Sequence, residues 1–307
     1  MDAESAVTTC YRHTQVECYV RCTRCDRFIC PDCMREAAVG HHCPDCVKEG
    51  ARSVRRARTV FGGAVTATPV VTYALIALNV LVYLAQLARP ELVERFAMLG
   101  AGLVGPDGLH YVHQGEVPAG FRFEGVAAGE WERLITSGFL HLMPTEGTFG
   151  LAHVVLNMLA LWRLGLMVEP QLGRGRFLAL YLLSTLGGSV AELLLAGPGQ
   201  LSVGASGALF GLTVAAYVMA RRLGSDLTEV HRMMVLLLVW LVLSARLTSW
   251  QGHLGGLLTG GAVALALAHV PRGPRRTVIQ AVACGAVLVV LLGLAWLKVT
   301  DLTGGAA

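Results

Sequence analysis

Charged residues are scarce in this chain. They make up 15% of its 307 residues, against roughly 25% in soluble domains, whereas hydrophobic residues make up 54%. This shortage of charge excludes an ordinary soluble protein and predicts a polytopic membrane protein. A helix needs about 20 apolar residues to cross the hydrocarbon core of a bilayer, and seven runs approach that length. The predicted spans lie near 69–88, 151–168, 177–196, 203–220, 233–249, 251–270 and 277–297.

A secretory signal peptide of the usual form is also lacking, since more than 60 largely polar residues precede the first span. We therefore expect a small domain at the N-terminus. Arginines before that span place the N-terminus in the cytoplasm by the positive-inside rule, and seven spans then put the C-terminus outside. The long segment 89–150 is predicted to be external. The short outer loops carry almost only Arg246, whereas the arginines predicted inside are Arg52, Arg55, Arg56, Arg58, Arg174, Arg176, Arg221, Arg222, Arg232, Arg272, Arg275 and Arg276.

Cysteine is almost confined to the N-terminal region, because eight of the nine lie within residues 10–46 and Cys284 is the exception. Seven of the eight, together with one histidine, form four pairs in which two residues separate the ligands. Such a pair lets a tight turn aim both side chains at one tetrahedral ion, which predicts two structural zinc ions. The predicted ligands are Cys10, His13, Cys22, Cys25, Cys30, Cys33, Cys43 and Cys46.

Only four residues separate the second pair from the third. This favours an interleaved arrangement, in which the first and third pairs bind one ion and the second and fourth pairs bind the other. The pattern resembles B-box and RING-like zinc folds. A disulfide framework is the alternative, and it is less favoured because the segment is predicted on the reducing side of the membrane. Cys18, His41 and His42 are left over. So short a segment could hardly form an apolar core, so the metal would supply much of its folding energy.

These patterns divide the chain into four parts and predict an all-α polytopic membrane protein preceded by a small cytoplasmic domain. Abundant Ala, Gly, Val and Arg are typical of a GC-rich bacterial genome, which indicates a bacterial plasma membrane. The bilayer is the expected partner, nucleic acid is not, and the zinc domain could bind a cytoplasmic partner. The parts are a zinc-binding domain over 1–48, a basic linker over 49–68, a transmembrane domain over 69–297 and a tail over 298–307.

Carboxylates are lacking in the fourth and sixth predicted spans, yet both spans carry reactive side chains. Because spans two, four and six enter from the outside, His153, Asn157, Ser206 and His253 share a depth near the outer face. Polar groups are costly in lipid, so a serine and a histidine at one depth indicate chemistry within the bilayer. His253 could take the proton of Ser206, and with no acid nearby the two residues predict a Ser–His dyad.

Small residues offer these spans a means of contact. Gly207-x3-Gly211 and Gly256-x3-Gly260 each put two glycines on one helix face, which permits close backbone approach. His153 and Asn157 are four residues apart and share a helix face, from which both could donate hydrogen bonds to an oxyanion. The alternative for this pair is a packing hydrogen bond between spans.

Together these motifs resemble the pattern of the rhomboid intramembrane serine proteases over about residues 69–270. The matching motifs are His153-x3-Asn157, Gly204-Ala205-Ser206-Gly207 and His253-Leu254-Gly255-Gly256-x3-Gly260. The resemblance implies a six-helix core with one C-terminal transmembrane helix added. It implies Ser206 as nucleophile, His253 as base, and His153 and Asn157 as oxyanion donors, with no cofactor for catalysis. The substrates would be transmembrane segments of membrane proteins, cleaved near the outer face.

The resemblance extends to four further positions. Phe210 occupies the place of an aromatic that can stack on the catalytic histidine, and Glu169 resembles a position with a structural role in the loop after span two. Trp131 and Arg133 resemble the end of the first external loop. The family often has these two residues adjacent, whereas Glu132 separates them here.

Two other functions stay open at this point. The chain could be a catalytically silent relative that binds membrane helices and carries a zinc-dependent interaction module, although the intact Ser206 and His253 argue against it. It could instead sense or transport zinc through His153 and His253. A transport path would need carboxylates, and only Glu192 in the third span is available.

Overall fold

The computed structural model describes residues 8–53, 57–66, 68–113, 117–146, 149–243 and 249–304. The chain divides into two units, Met1–Ala57 and Arg58–Ala307. Three arginines used to predict the topology lie outside the described residues: Arg55, Arg56 and Arg246.

The first unit is built from short elements that surround its cysteines. Two antiparallel strand pairs form, β1 with β2 and β3 with β4, and a helix follows them. Among the described residues of this unit, Ile29 is the one apolar side chain buried with the cysteines. A unit with so small an apolar core needs cross-links through its cysteines to be stable. The elements are β1 (Val20–Arg21), β2 (Phe28–Ile29), a 3-10 turn (Pro31–Cys33), β3 (Arg35–Glu36), β4 (His41–His42) and α1 (Pro44–Ser53).

The second unit is mainly helical, and each of the seven predicted spans overlaps one described helix. Residues 244–248 of the span predicted at 233–249 lie outside the described residues. By length and composition, four of the described helices could cross a membrane: α2, α5 from Gly150, α6 and α10. α7, α8 and α9 do not meet that criterion. Its helices are α2 (Val70–Ala88), α3 (Glu91–Phe96), α4 (Arg133–Thr136), α5 (Phe149–Leu172), α6 (Arg174–Leu195), α7 (Ser206–Leu223), α8 (Thr228–Leu243), α9 (Trp250–His269) and α10 (Arg276–Leu302).

The long segment between α2 and α5 has structure of its own. A three-stranded antiparallel sheet runs in the order β6–β5–β7, with β5 at Gly102–Val104, β6 at His110–Val112 and β7 at Arg122–Glu124. Buried Arg133 holds two parts of this segment together. Its buried guanidinium pairs with Glu130 and donates to the backbone carbonyls of Glu94 and Ala97.

Glycines bring α6, α7 and α9 into backbone contact. A Cβ at Gly256 would overlap the carbonyl oxygen of Gly207, and one at Gly260 would overlap the Cα of Gly211. Both Gly-x3-Gly motifs therefore lie in the α7–α9 interface that the sequence predicts. Side chains at these positions would push the two helices apart, and with them any residues paired across the interface.

A buried carboxylate ties α5 to the first turn of α2. Glu169 accepts hydrogen bonds from the backbone N–H groups of Val71 (3.0 Å) and Thr72 (2.7 Å), and from the Thr72 hydroxyl (2.7 Å). First-turn N–H groups have no acceptor within their own helix, so Glu169 caps α2. Glu169 lies inside α5 rather than in the loop after it.

The C-terminal helix α10 packs against α6 and the segment between α2 and α5. Leu291, Ala295 and Val299 of α10 join a buried cluster with Val190 of α6 and Val126, which precedes α4. The remaining surface of α10 is largely exposed and apolar, as expected for a helix that faces lipid.

Candidate active site

Ser206 is the first residue of α7, and the turn before it depends on glycine. Gly204 has φ +132°, a backbone conformation that residues with a Cβ rarely adopt. A Cβ there would lie 3.0 Å from the His153 ring and 3.6 Å from Ser206 Oγ, so both side chains flank this glycine. The Gly204 N–H donates to Ser137 O (3.0 Å), which fixes the turn against the segment between α2 and α5.

His253 lies in the first turn of α9, where it meets Ser206. The distance between His253 Nε2 and Ser206 Oγ is 2.8 Å. The Phe210 ring stacks on the imidazole with centroids 4.4 Å apart and planes inclined by 11°. No hydrogen-bond partner for His253 Nδ1 is found among the described residues. The pair thus has the geometry of a dyad, in which packing by Phe210, rather than a carboxylate, orients the histidine.

His153 and Asn157 lie on α5 and face the same turn. The Leu142 N–H donates to His153 Nδ1 (3.3 Å), which puts the proton of a neutral imidazole on Nε2, the atom nearer Gly204. Asn157 Nδ2 donates to the His153 carbonyl (2.7 Å) within the helix. The structure therefore brings His153 beside Ser206, whereas Asn157 lies one turn deeper and bonds to its own helix.

A polar network behind His153 was not predicted as part of the site. His141 is buried, its ring contacts that of His153 edge-on with centroids 5.3 Å apart, and its Nε2 lies 3.2 Å from Asn79 Oδ1. Gln86 exchanges two hydrogen bonds with the His141 backbone (2.9 and 3.1 Å). This network holds the segment whose next residue, Leu142, donates to His153.

Glu192 was not predicted to belong to this site either. Its carboxylate accepts from the Ser202 hydroxyl (2.7 Å) and lies against the Cα of Gly252, which precedes His253. Ser249 caps α9 by accepting from the Gly252 N–H (3.2 Å). One signal was available, because Glu192 is the carboxylate of the third predicted span.

These groups line a small cavity beside Ser206. Its volume is about 30 Å³, which is room for about one water molecule. Most of the lining groups can form hydrogen bonds, so a water there would find partners. The polar lining residues are Ser137, Thr185, Ser189, Glu192, Ser202, Ser206 and Ser249.

The cysteines and His13 of the first unit form two clusters that could each hold a metal ion. The ligand atoms within each cluster lie within 4.8 Å of one another. Tetrahedral zinc–sulfur bonds require sulfur atoms about 3.8 Å apart, and Cys25 Sγ and Cys43 Sγ are 3.7 Å apart. The grouping is interleaved, as expected. The clusters are Cys10, His13, Cys30 and Cys33, and Cys22, Cys25, Cys43 and Cys46.

Backbone donors favour the metal-binding thiolate form at two of these residues. Burial acts to raise the pKa of Cys10, but the backbone N–H groups of Cys30, Arg12 and His13 outweigh it and lower the pKa to about 6. Cys22 shows the same balance, again with a pKa of about 6. Cys18 is buried nearby but belongs to neither cluster, and burial raises its pKa.

Comparison with known proteins is consistent with this geometry. A family model described as "Rhomboid domain" matches residues 128–270. The chain is 35% identical over 152 residues to "Rhomboid protease GluP" of Bacillus subtilis, a match that covers 46% of this chain and 27% of that protein. It is 33% identical over 140 residues to "Putative rhomboid protease YdcA" of the same species, a match that covers 44% of this chain and 67% of that protein. It is 31% identical over 138 residues to "Rhomboid-like protease 3" of Toxoplasma gondii, a match that covers 43% of this chain and 49% of that protein. The chain thus spans 27–67% of the lengths of these relatives.

Proposed function

Because the chain belongs to the rhomboid family, whose named members are mostly proteases, we propose that it is an active intramembrane serine endopeptidase with a Ser206–His253 dyad. The observation that carries this proposal is the 2.8 Å separation between His253 Nε2 and Ser206 Oγ. Serine is a weak nucleophile without a base in hydrogen-bond contact, and this distance satisfies that requirement.

The reaction begins with attack of Ser206 Oγ on the scissile carbonyl carbon, while His253 Nε2 takes the hydroxyl proton. His153 Nε2–H and the Ser206 backbone N–H donate to the oxyanion. Asn157 has a second amide hydrogen besides the one bonded to the His153 carbonyl, and it completes the donor set. Collapse breaks the C–N bond, His253 protonates the leaving amine, and an acyl ester remains on Ser206.

Hydrolysis of the ester needs a water close to Ser206. The polar cavity beside that residue supports the proposal, since it has about the volume of one water molecule and offers several hydroxyl groups. A water from this cavity attacks the ester carbonyl and gives its proton to His253. The second tetrahedral intermediate then releases the carboxylic acid, and the proton returns to Ser206.

The substrates we propose are single transmembrane segments cut near the outer face of a plasma membrane. The arginine distribution supports a cytoplasmic N-terminus and an external C-terminus, which puts the start of α7 and of α9 near the outside. For the first unit we propose two structural zinc ions. The interleaved clusters of four ligands each support them.

Activity-based labelling tests the protease proposal. The purified full-length protein and its Ser206→Ala and His253→Ala variants would be treated with a fluorophosphonate probe and with single-span substrates. We expect the unsubstituted protein alone to label and cleave. Ser225→Ala, which removes an exposed serine, is the control and should keep full activity. Equal labelling and cleavage by Ser206→Ala would contradict the proposal and favour a silent helix-binding relative.

A further inference from the structure

A group of arginines lies where α7 and α9 end and α6 and α10 begin. Arg176 and Arg276 both lie close to Gly62, since a Cβ there would be 3.4 Å from an Arg176 guanidinium nitrogen and 3.3 Å from Arg276 Cδ. Neutral oxygens hold two of the group: Arg176 donates to Gln280 Oε1 (2.8 Å), and Arg276 donates to the Val60 carbonyl (2.7 Å). These acceptors position the side chains without neutralising their charge.

Three arginines of this group line one cavity of about 550 Å³. Arg222 comes from the end of α7, Arg272 from the turn after α9, and Arg276 from the start of α10. Small-molecule sites in proteins typically measure roughly 300–1,000 Å³, so the cavity could hold a headgroup-sized ligand. The rest of the lining is apolar: Val60, Phe61, Leu223, Ala268, Val270 and Pro271.

Among the residues that the structure describes, acidic side chains do not compensate the three charges. Within the described ranges, none of the ion pairs includes Arg222, Arg272 or Arg276. Arg276 Nε is buried and has no hydrogen-bond partner among the same residues. A buried donor without an acceptor is costly, and it is satisfied most simply by an anionic oxygen.

We propose that the Arg222–Arg272–Arg276 cavity binds a phosphate-bearing anion, with an anionic phospholipid headgroup as the expected source. Guanidinium groups match phosphate oxygens in pairs, and three arginines line this cavity. The apolar walls suit the glycerol and the first carbons of the acyl chains. Arginine-rich helix ends also lie at the predicted cytoplasmic face, where anionic headgroups are concentrated. The site is separate from Ser206, so the proposal does not depend on proteolysis.

Lipid binding to the full-length protein tests this proposal. Protein in neutral detergent would be titrated with phosphatidylglycerol or with phosphatidylcholine of the same acyl chains, and bound lipids counted by native mass spectrometry. The variant Arg222→Gln/Arg272→Gln/Arg276→Gln should bind phosphatidylglycerol at least about tenfold more weakly. The control Arg221→Gln/Arg275→Gln removes two neighbouring exposed arginines that do not line the cavity, and its affinity should change little.

A second titration uses inorganic phosphate alone. It distinguishes a lipid headgroup from a free phosphate anion as the ligand. Loss of phosphate binding in the triple variant, without any preference for phosphatidylglycerol, would support the site and assign it to a free anion. Preference for phosphatidylglycerol that the triple variant abolishes supports the lipid source. Equal weakening in triple and control variants, or none in either, would overturn the proposal. Arg272→Gln alone, at an exposed position, gives a readout if the triple variant fails to fold.

Discussion

At the scale of single residues, two histidines flank Ser206, and the mechanism we propose gives them opposite tasks. In that mechanism His253 must offer a lone pair on Nε2 to accept the Ser206 proton, which requires its own ring proton to be on Nδ1. His153 must offer a proton from Nε2, and the Leu142 N–H bonded to its Nδ1 favours that tautomer. The local hydrogen bonds therefore distinguish donor from base, although the residue type is the same.

Replacement of His153 tests the donor role. His153→Ala should lower kcat by about 100- to 1,000-fold, because one oxyanion donor is lost in the transition state while Ser206 and His253 stay paired. The measurement is the cleavage rate of a saturating single-span substrate. His269→Ala, at an exposed position at the end of α9, is the control. An unchanged kcat in His153→Ala would remove His153 from the oxyanion site.

Glu192 is expected to position the two segments that carry the dyad. Glu192→Ala should lower kcat by about 10- to 100-fold with a smaller effect on KM, since the Ser202 hydroxyl loses its acceptor next to the Ser206 turn. Glu192→Gln keeps an acceptor oxygen and should restore most of the rate. Glu229→Ala, which removes an exposed carboxylate, is the control. Failure of Glu192→Gln to recover activity would argue against a hydrogen-bonding role.

At the scale of secondary structure, the approach of α7 to α9 decides whether the dyad forms. Gly256→Ala would put a methyl group into the Gly207 carbonyl, and overpacking of this kind costs about 1–3 kcal/mol. We expect a lower Tm in detergent and loss of fluorophosphonate labelling. Gly285→Ala in α10 is the matched control, because nothing lies within 4 Å of its Cβ position and alanine favours helix. Similar Tm and labelling in both variants would contradict this account.

The sequence predicted the positions of the helices better than their ability to cross a membrane. Apolar runs located the seven long helices of the described residues, and the Gly-x3-Gly spacing predicted the α7–α9 contact. α7 and α9 nevertheless do not meet the length and composition criterion for a span. α7 carries Arg221 and Arg222 in its last turn, and α9 carries five glycines together with Gln251 and His253, so both helices give a weaker hydropathy signal.

The parts of the site that escaped prediction depend on contacts between distant segments. Glu192, Ser202 and Ser249 lie in three different segments, and nothing in their spacing indicates that they meet. His141 and Gln86 are similarly separated, by 55 residues. Periodicity and motif spacing describe one element at a time, whereas these networks form only when the helices pack.

At the scale of the whole molecule, the two units should differ in their response to metal removal. Structural zinc in small domains supplies about 10–16 kcal/mol of binding energy, so chelation should unfold the first unit. The second unit has its own core and should keep fluorophosphonate labelling. Limited proteolysis with and without chelator measures both effects. Protease resistance of residues 8–53 after complete metal removal would contradict this expectation.

The matched cysteine variants sharpen that test. Metal analysis should give about two ions per chain for the unsubstituted protein and for Cys18→Ser, because Cys18 belongs to neither cluster. Cys22→Ser should hold fewer ions. A stoichiometry near zero in the unsubstituted protein would refute zinc binding by this unit.

The interleaving of the two clusters has a consequence for how they fill. The loop closed by the first cluster contains Cys22 and Cys25, and the loop closed by the second contains Cys30 and Cys33. An ion in either cluster therefore shortens the chain that the other must close and lowers its entropy cost. Metal binding should therefore be cooperative, and chains with one ion would be a minor species. When metal is scarce, the unit would lose both ions together.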